Sequence, residues 1–434
     1  MNKKIITSVL LVILAIGVGF VFFEWSKGSH DEEAVKEKES IPEEMKPIPD
    51  YENATPQDIN EVSDANNRFA LELYSRMKEE GDNVFFSPWS ISSALAMTYE
   101  GARGKTAEEM LSVLHFPADD RKRMSAFAGI LAEINKGDKK YELRTANALW
   151  AQKDYHLLDS FSGIIQKYYG GKVTDLNFVD DPEGSRTTIN DWVEDQTNEK
   201  IKDLIPSGTI NQFTRLVLTN AIYFKGEWVK QFDKKNTQVR EFRVSPSKTV
   251  EVPMMSSTGP EAKFNYIETE NVQILELPYS GKELSMLVLL PKDENLEALE
   301  DSLTVEKLAE WRNSLVEEKV DVYVPKFKLE TKYSLVDTFK RLGMRDAFDS
   351  GHADFSGITG KRDLFISDII HQGYVEVNEE GTEAAAATGV IMVTSAQMPG
   401  KTFMADHPFL FIILERDTGN ILFMGRIINP SGNV

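Results

Sequence analysis

Residues 379–398 read EEGTEAAAATGVIMVTSAQM. Four consecutive alanines with a glutamate nearby suit a helix. Yet Gly381 and Thr382 open the run, Gly389 interrupts it, and Val390-Ile391-Met392-Val393-Thr394 prefers extended backbone. Successive residues of a strand point to opposite faces. Read as a strand, one face carries Thr382, Ala384, Ala386, Thr388, Val390 and Met392, none of them charged. The other carries Glu383, Ala385, Ala387, Gly389, Ile391 and Val393, where only Glu383 is charged. Small, uncharged residues slide most easily between packed neighbours, and no proline interrupts the run to remove a ladder hydrogen bond. The pattern suits a strand able to pack between neighbours, with Glu383 its only charge. The competing reading, an exposed alanine-rich helix, is made expensive by Gly381 and Gly389.

The chain around this stretch has 434 residues, enough for one large domain or two ordinary ones with an ample core. A net charge of −20 argues against a nucleic-acid partner and gives no support for docking on anionic lipid. There is no cysteine, hence no disulfide, thiol nucleophile or zinc-thiolate site.

Lys3 and Lys4 precede an uncharged apolar run of nineteen residues, Ile5 to Phe23. As a helix it would span roughly 28 Å, about a bilayer's hydrocarbon thickness. The positive-inside rule keeps the lysines cytoplasmic and predicts export of the remainder, secreted or anchored on the outer face. An uncleaved anchor and a cleaved signal peptide both fit. Ala15-Ile16-Gly17 offers a small-x-small cleavage site, but cutting there leaves an apolar end from Val18 to Phe23, which favours the anchor. Residues 24–63 are acidic and carry Pro42, Pro47, Pro49 and Pro56, the composition of a tether. Ile41, Met45, Ile48 and Tyr51 punctuate it with apolar groups able to dock on a globular body.

From 64 to 434 the sequence is globular. Asp64 is expected to cap a helix with Phe69, Ala70, Leu73 and Tyr74 on its apolar face, and Ser87-Pro88-Trp89-Ser90 starts another. Ile189 to Ile205 reads as an amphipathic helix. Leu216-Val217-Leu218, Ile274 to Leu277, Leu284 to Leu290 and Val320 to Val324 read as strands. So do Phe409 to Leu414 and Ile421 to Met424, joined by a turn at Asp417 to Asn420. Helices dominate the first part and strands the later part, without βαβ alternation, so the class is α+β.

Catalytic motifs are missing. Gly101-Ala102-Arg103-Gly104-Lys105-Thr106 ends like a phosphate loop, but the pattern requires glycine where Tyr99 stands. It reads instead as a helix end, with Gly104 as the stop and Thr106 capping the next helix. Neither a Gly-x-Ser-x-Gly elbow nor a His-Glu-x-x-His pair occurs, and the six histidines lack ligand spacing. No enzyme activity, metal or other cofactor is expected.

Five stretches then carry a resemblance. Asn83 to Ser90, Thr219 to Trp228, Val322 to Phe327, the hinge Glu379 to Thr388, and Ala405 to Phe409 through Phe423 to Arg426 resemble, in order, motifs of the serpin (serine protease inhibitor) family. The resemblance covers about residues 64–430. It implies a single domain of three β-sheets with eight or nine helices, and an exposed reactive loop, here about 379–403, that serves as protease bait. After cleavage and acylation the loop enters the central sheet as a new strand, carrying the attached protease across the molecule. Strand addition and the release of stored strain are general devices.

In inhibitory members the reacting residue lies sixteen positions after the hinge Glu379, which gives Ser395 and the scissile bond Ser395–Ala396. Counting back from Pro408 allows bonds as far as Gln397–Met398. The hinge comprises Glu379, Gly381, Thr382, Glu383, Ala384, Ala385, Ala386, Ala387 and Thr388. Ser87, Ser90, Asn220 and His371 match the polar cluster under the central sheet that controls its opening. Trp228 matches the aromatic residue where insertion begins, with Lys326 and Glu379 as a salt bridge there. Small neutral residues around Ser395 suit a serine protease with a shallow apolar pocket, elastase-like or subtilisin-like. A monomer is expected. The alternative is a non-inhibitory serpin acting as a chaperone or binding protein, which a charge or proline between Ala384 and Thr394 would favour; neither occurs.

Overall fold

The computed structural model describes residues 53–136, 140–171, 173–382 and 400–432. The apolar run Ile5 to Phe23, most of the acidic stretch, and the loop positions Glu383 to Thr388, Ser395 and Ala396 lie outside them. Among the described residues no helix is long and apolar enough to cross a membrane.

The first helix, α1, spans Pro56–Met77 and so begins eight residues before Asp64. Its start is set by Thr55 and Asp58, whose side chains each accept the other's backbone N–H, with Pro56 in the first turn, where its missing N–H costs nothing. Helix α2 (Pro88–Tyr99) begins as expected. The Ser87 hydroxyl accepts the Ser90 N–H and Pro88 stands in the first turn. All its residues through Thr98 are buried, as an all-round apolar helix requires. Helix α3 (Gly104–Leu114) corrects the reading of Thr106 as a cap. Its cap is Arg103, which has no side-chain cap bond, while the Thr106 hydroxyl accepts the Asp354 N–H in another segment. The amphipathic helix expected at 189–205 lies at Pro182–Gln196 instead, capped by Asp181. Asn190 explains the early stop. Its side chain bonds both the N–H and the carbonyl of Ile205, folding residues 201–205 back against the helix.

Sixteen strands occur among the described residues. In chain order they begin β1 (Val84–Phe86), β2 (Tyr141–Gln152), β3 (Val173–Leu176) and β4 (Leu216–Glu227). Then follow β5 (Gln238–Ser245), β6 (Lys248–Ser257), β7 (Lys263–Glu268), β8 (Val272–Pro278) and β9 (Leu284–Pro291). After β10 (Val316–Pro325) and β11 (Phe327–Ser334) come β12 (Ile366–Val377), β13 (Gly381–Thr382), β14 (Lys401–Met404), β15 (Phe409–Glu415) and β16 (Ile421–Ile427).

A six-stranded sheet has the order β11-β12-β13-β4-β2-β3. The other strands form a continuous ladder because β10 serves two neighbourhoods. Val316 to Lys319 pair with β7, and Val322 to Pro325 pair with β6. The two pairing regions of that ladder, with the six-stranded sheet, make three sheets, two of which share β10. The six-stranded sheet is covered on both faces. One faces the main core, with α2 and the aromatic residues Phe85, Phe411 and Phe423. The other faces the helix Pro182–Gln196 through small residues, Ala146, Ala148 and Ala221, against Ile189 and Val193.

Candidate functional site

The site is the seam between β4 and β12. These strands are parallel and pair directly from Leu216–Tyr223 to Ile366–Tyr374, with one irregularity near Ser367. At one end, β13 lies between them. Thr382 faces both Val377 of β12 and Gly226 of β4, and Gly381 faces Glu227. The seam is thus closed over most of its length and parted at one end by the first two residues after Glu380. Gly381 is required there. A Cβ on it would meet the Gly226 carbonyl oxygen at 2.0 Å and the Glu227 Cα at 2.7 Å, both rigid backbone.

Trp228, Lys326 and Glu379 come together at this parted end. Trp228 is buried and stacks on Tyr279, with centroids 4.5 Å apart. Its indole N–H donates to the Asn378 carbonyl at 3.0 Å, and its backbone N–H to the Glu380 carbonyl at 2.8 Å. The Glu379 carboxylate pairs with Lys326 at 2.9 Å and accepts the Thr237 hydroxyl at 2.7 Å. Burial pushes its pKa up, but these two partners outweigh burial and hold it below the usual carboxylate value. Glu380 pairs with Lys234 at 2.5 Å. Tyr279 also bonds the Thr382 hydroxyl at 2.7 Å. Thr237, Lys234 and Tyr279 were not legible in the sequence, because each reaches the site only through tertiary packing.

Ser87, Ser90, Asn220 and His371 converge further along the seam. His371 faces Asn220 directly across it, and Asn147 of β2 faces Asn220 on the other side. The donors and acceptors resolve into one consistent chain. The Ser87 N–H donates to His371 Nε2 at 3.1 Å, so that nitrogen is unprotonated and the Nδ1–H donates to Asn220 Oδ1. Asn220 Nδ2 donates to Ser90 Oγ and to Asn147 Oδ1, both at 2.7 Å. Ser90 Oγ donates to Asn147 Oδ1 at 2.8 Å, and Ser87 Oγ donates to the Leu422 carbonyl at 2.6 Å. Burial pushes the His371 pKa down to about 3, so the ring is neutral at ordinary pH. Asn147 is the member sequence reading missed. Its signal was a lone polar side chain between Ala146 and Ala148 in an otherwise buried run.

At the seam's opposite end, beside Leu216 and Ile366, lies a cavity of about 230 Å³ lined in part by Thr214, Val217, Phe365 and Ser367. Among the described residues no cluster of His, Asp or Glu could hold a metal ion. The arrangement offers no nucleophile and base acting together. It offers a sheet that is already parted at one end.

Comparison with known proteins points the same way. The Serpin (serine protease inhibitor) family matches residues 64–430. An uncharacterized serpin-like protein of Thermococcus kodakarensis is 45% identical over 85% of this chain and 86% of its own length. Human leukocyte elastase inhibitor is 44% identical over 86% of this chain and its entire length. Among solved structures, human thyroxine-binding globulin complexed with its thyroxine superposes with a TM-score of 0.78 at 32% identity, covering 86% of this chain and 99% of that one. Uncleaved ovalbumin gives 0.76 at 34% identity, covering 85% of this chain and all of the other.

Proposed function

Because the chain belongs to the serpin family, we propose that it is a single-use, irreversible inhibitor of serine proteases. The observation that carries this reading is the parted seam, with Gly381 and Thr382 already seated between β4 and β12. The 44% identity to leukocyte elastase inhibitors of horse, cattle and human supports a protease as the partner.

In this reading the protease serine attacks the Ser395 carbonyl, the Ala396 amine leaves, and Ser395 stays joined to the enzyme as an ester. The loop then continues the strand that β13 begins. With Thr382 opposite Gly226, each further residue steps one place back along β4, so Met392 would reach Leu216, the first residue of that strand. Ser395 would arrive just beyond the far end of the sheet. A strand of this length moves its cargo on the order of 40 Å at 3.3 Å per residue. The length of β4 thus supports a bait near Ser395, as counted from the hinge. Residues 384, 386, 388, 390 and 392 would share the core-facing side of Thr382, and all are uncharged.

Small residues at 394–396 favour an elastase-like or subtilisin-like target, and a monomer suffices for the mechanism. Lys3 and Lys4 ahead of the apolar run support an exported protein, secreted or held at the outer membrane face. The test is to mix the protein with pancreatic elastase and with subtilisin and run denaturing gels. A band at the summed mass, with cleavage mapped to Ser395–Ala396, is expected. Clean cleavage without that band, across several serine proteases, would replace this reading by the non-inhibitory one.

A further inference from the structure

We propose that a cavity beside Trp228 binds a small amphipathic anion, a carboxylate or sulfonate carried on an aromatic or apolar body. The cavity, of about 390 Å³, lies among β7, β8 and the residues that follow β4. Trp228, Val229, Phe264, Leu277 and Pro278 supply its apolar wall. Lys230, Lys263, Lys282 and Arg416 supply four positive charges against Glu261, Glu276 and Glu317. The lining is thus net positive on a chain whose net charge is −20.

The charges are not equally spent. Glu276 is buried and already satisfied, pairing with Arg416 at 2.9 Å and accepting the Asn265 amide at 2.6 Å. Lys230 differs. Its ammonium lies 4.9 Å from the Phe264 ring centroid, and among the described residues no carboxylate comes within ion-pairing distance of it. Burial pulls its pKa down against the more distant Glu261 and Glu317. An anion beside it would supply the missing counter-charge while its apolar body covered Val229, which is 47% exposed. Pockets that hold small ligands combine such apolar walls with a few oriented polar groups.

The site also touches the hinge. Trp228 lines the cavity and holds the Asn378 and Glu380 carbonyls. Occupancy would brace Trp228 against β8 and is expected to slow loop entry by roughly fivefold, the low end of ordinary coupling between sites. This consequence rests on the inhibitory reading; the binding does not.

The probe is naphthalene-1-sulfonate, titrated calorimetrically into the full chain. One saturable site is expected, weakened about tenfold or more by Lys230→Glu and held within about threefold by Lys230→Arg. Lys282→Glu serves as the second charge reversal, should Lys230→Glu not fold by thermal melting. Affinity unchanged in both reversals, or equal affinity for uncharged 1-naphthalenemethanol, would overturn the site. Binding lost in Phe213→Ser, a residue that lines the cavity beside Leu216 and Ile366, but kept in Lys230→Glu, would do the same. The protease-trapping rate is then measured with and without saturating probe. An unchanged rate with the probe bound would overturn the coupling and leave the site. Absence of trapping altogether would count against the inhibitory reading alone.

Discussion

Gly381 lies against the backbone of Gly226 so closely that a single added carbon would overlap the Gly226 carbonyl, at 2.0 Å. Both partners are backbone, and neither can swing aside. The parted end of the seam is therefore built for two glycines.

Replacing Gly381 with valine should expel β13 from between β4 and β12. Two residues of pairing are lost, so the thermal midpoint should move by only a few degrees, about 1–2 kcal/mol. The larger effect should be kinetic. Slower loop entry lets the protease hydrolyse its ester, so the ratio of cleaved protein to covalent complex should rise several-fold on denaturing gels.

Acid should loosen the seam through His371. The folded pKa is about 3 and the unfolded value 6.5, so between these the unfolded chain binds more protons. His371's contribution is fully present above pH 6.5 and lost as pH falls through that window, at about 1.4 kcal/mol per unit. Urea midpoints at pH 7.5 and 4.5 should therefore differ more in the native chain than in His371→Gln, by about 2–3 kcal/mol. Equal pH dependence in both would refute the assignment.

Asn147→Leu should be costly although it puts an apolar side chain at a half-buried position. It strips Asn220 Nδ2 and Ser90 Oγ of an acceptor, and orphaned buried donors cost about 1–3 kcal/mol each. Chemical denaturation should give a loss near 3 kcal/mol, and the variant should lose activity on standing faster than the native chain.

Glu379→Gln should cost stability only where the native carboxylate is charged. It keeps the Thr237 bond but removes the charge facing Lys326, whose side chain is 36% exposed, so the pair contributes only about 1 kcal/mol. Because the Glu379 pKa is lowered, its stabilisation is present above the ordinary carboxylate value near pH 4.5 and lost below it. The variant should fall below the native chain at pH 7, and the gap should narrow as the pH drops below about 4.5.

Much of this was readable in advance, because it depended on local chemistry. Ser87-Pro88 carries a helix start in two residues, and Phe409 to Leu414 followed by Ile421 to Met424 is a hairpin in any context. The failures share a cause. Asp64 is an acceptable cap, but Thr55, Pro56 and Asp58 make a better one upstream. Ile189 to Ile205 keeps helical periodicity throughout, yet Asn190 reaching Ile205 turns the chain back.

By itself, the sequence determined the composition that the proposed insertion needs, since residues 384–394 carry neither charge nor proline. It also determined the reach of that segment, because residue count sets strand length. Only the tertiary structure decided where the seam between β4 and β12 is parted. That depends on Gly226 meeting Gly381, on Tyr279 meeting Thr382, and on Asn147, Asn220 and His371 standing in one row. Those contacts join residues tens to hundreds of positions apart, and their proton order exists only once burial has removed water as the alternative partner.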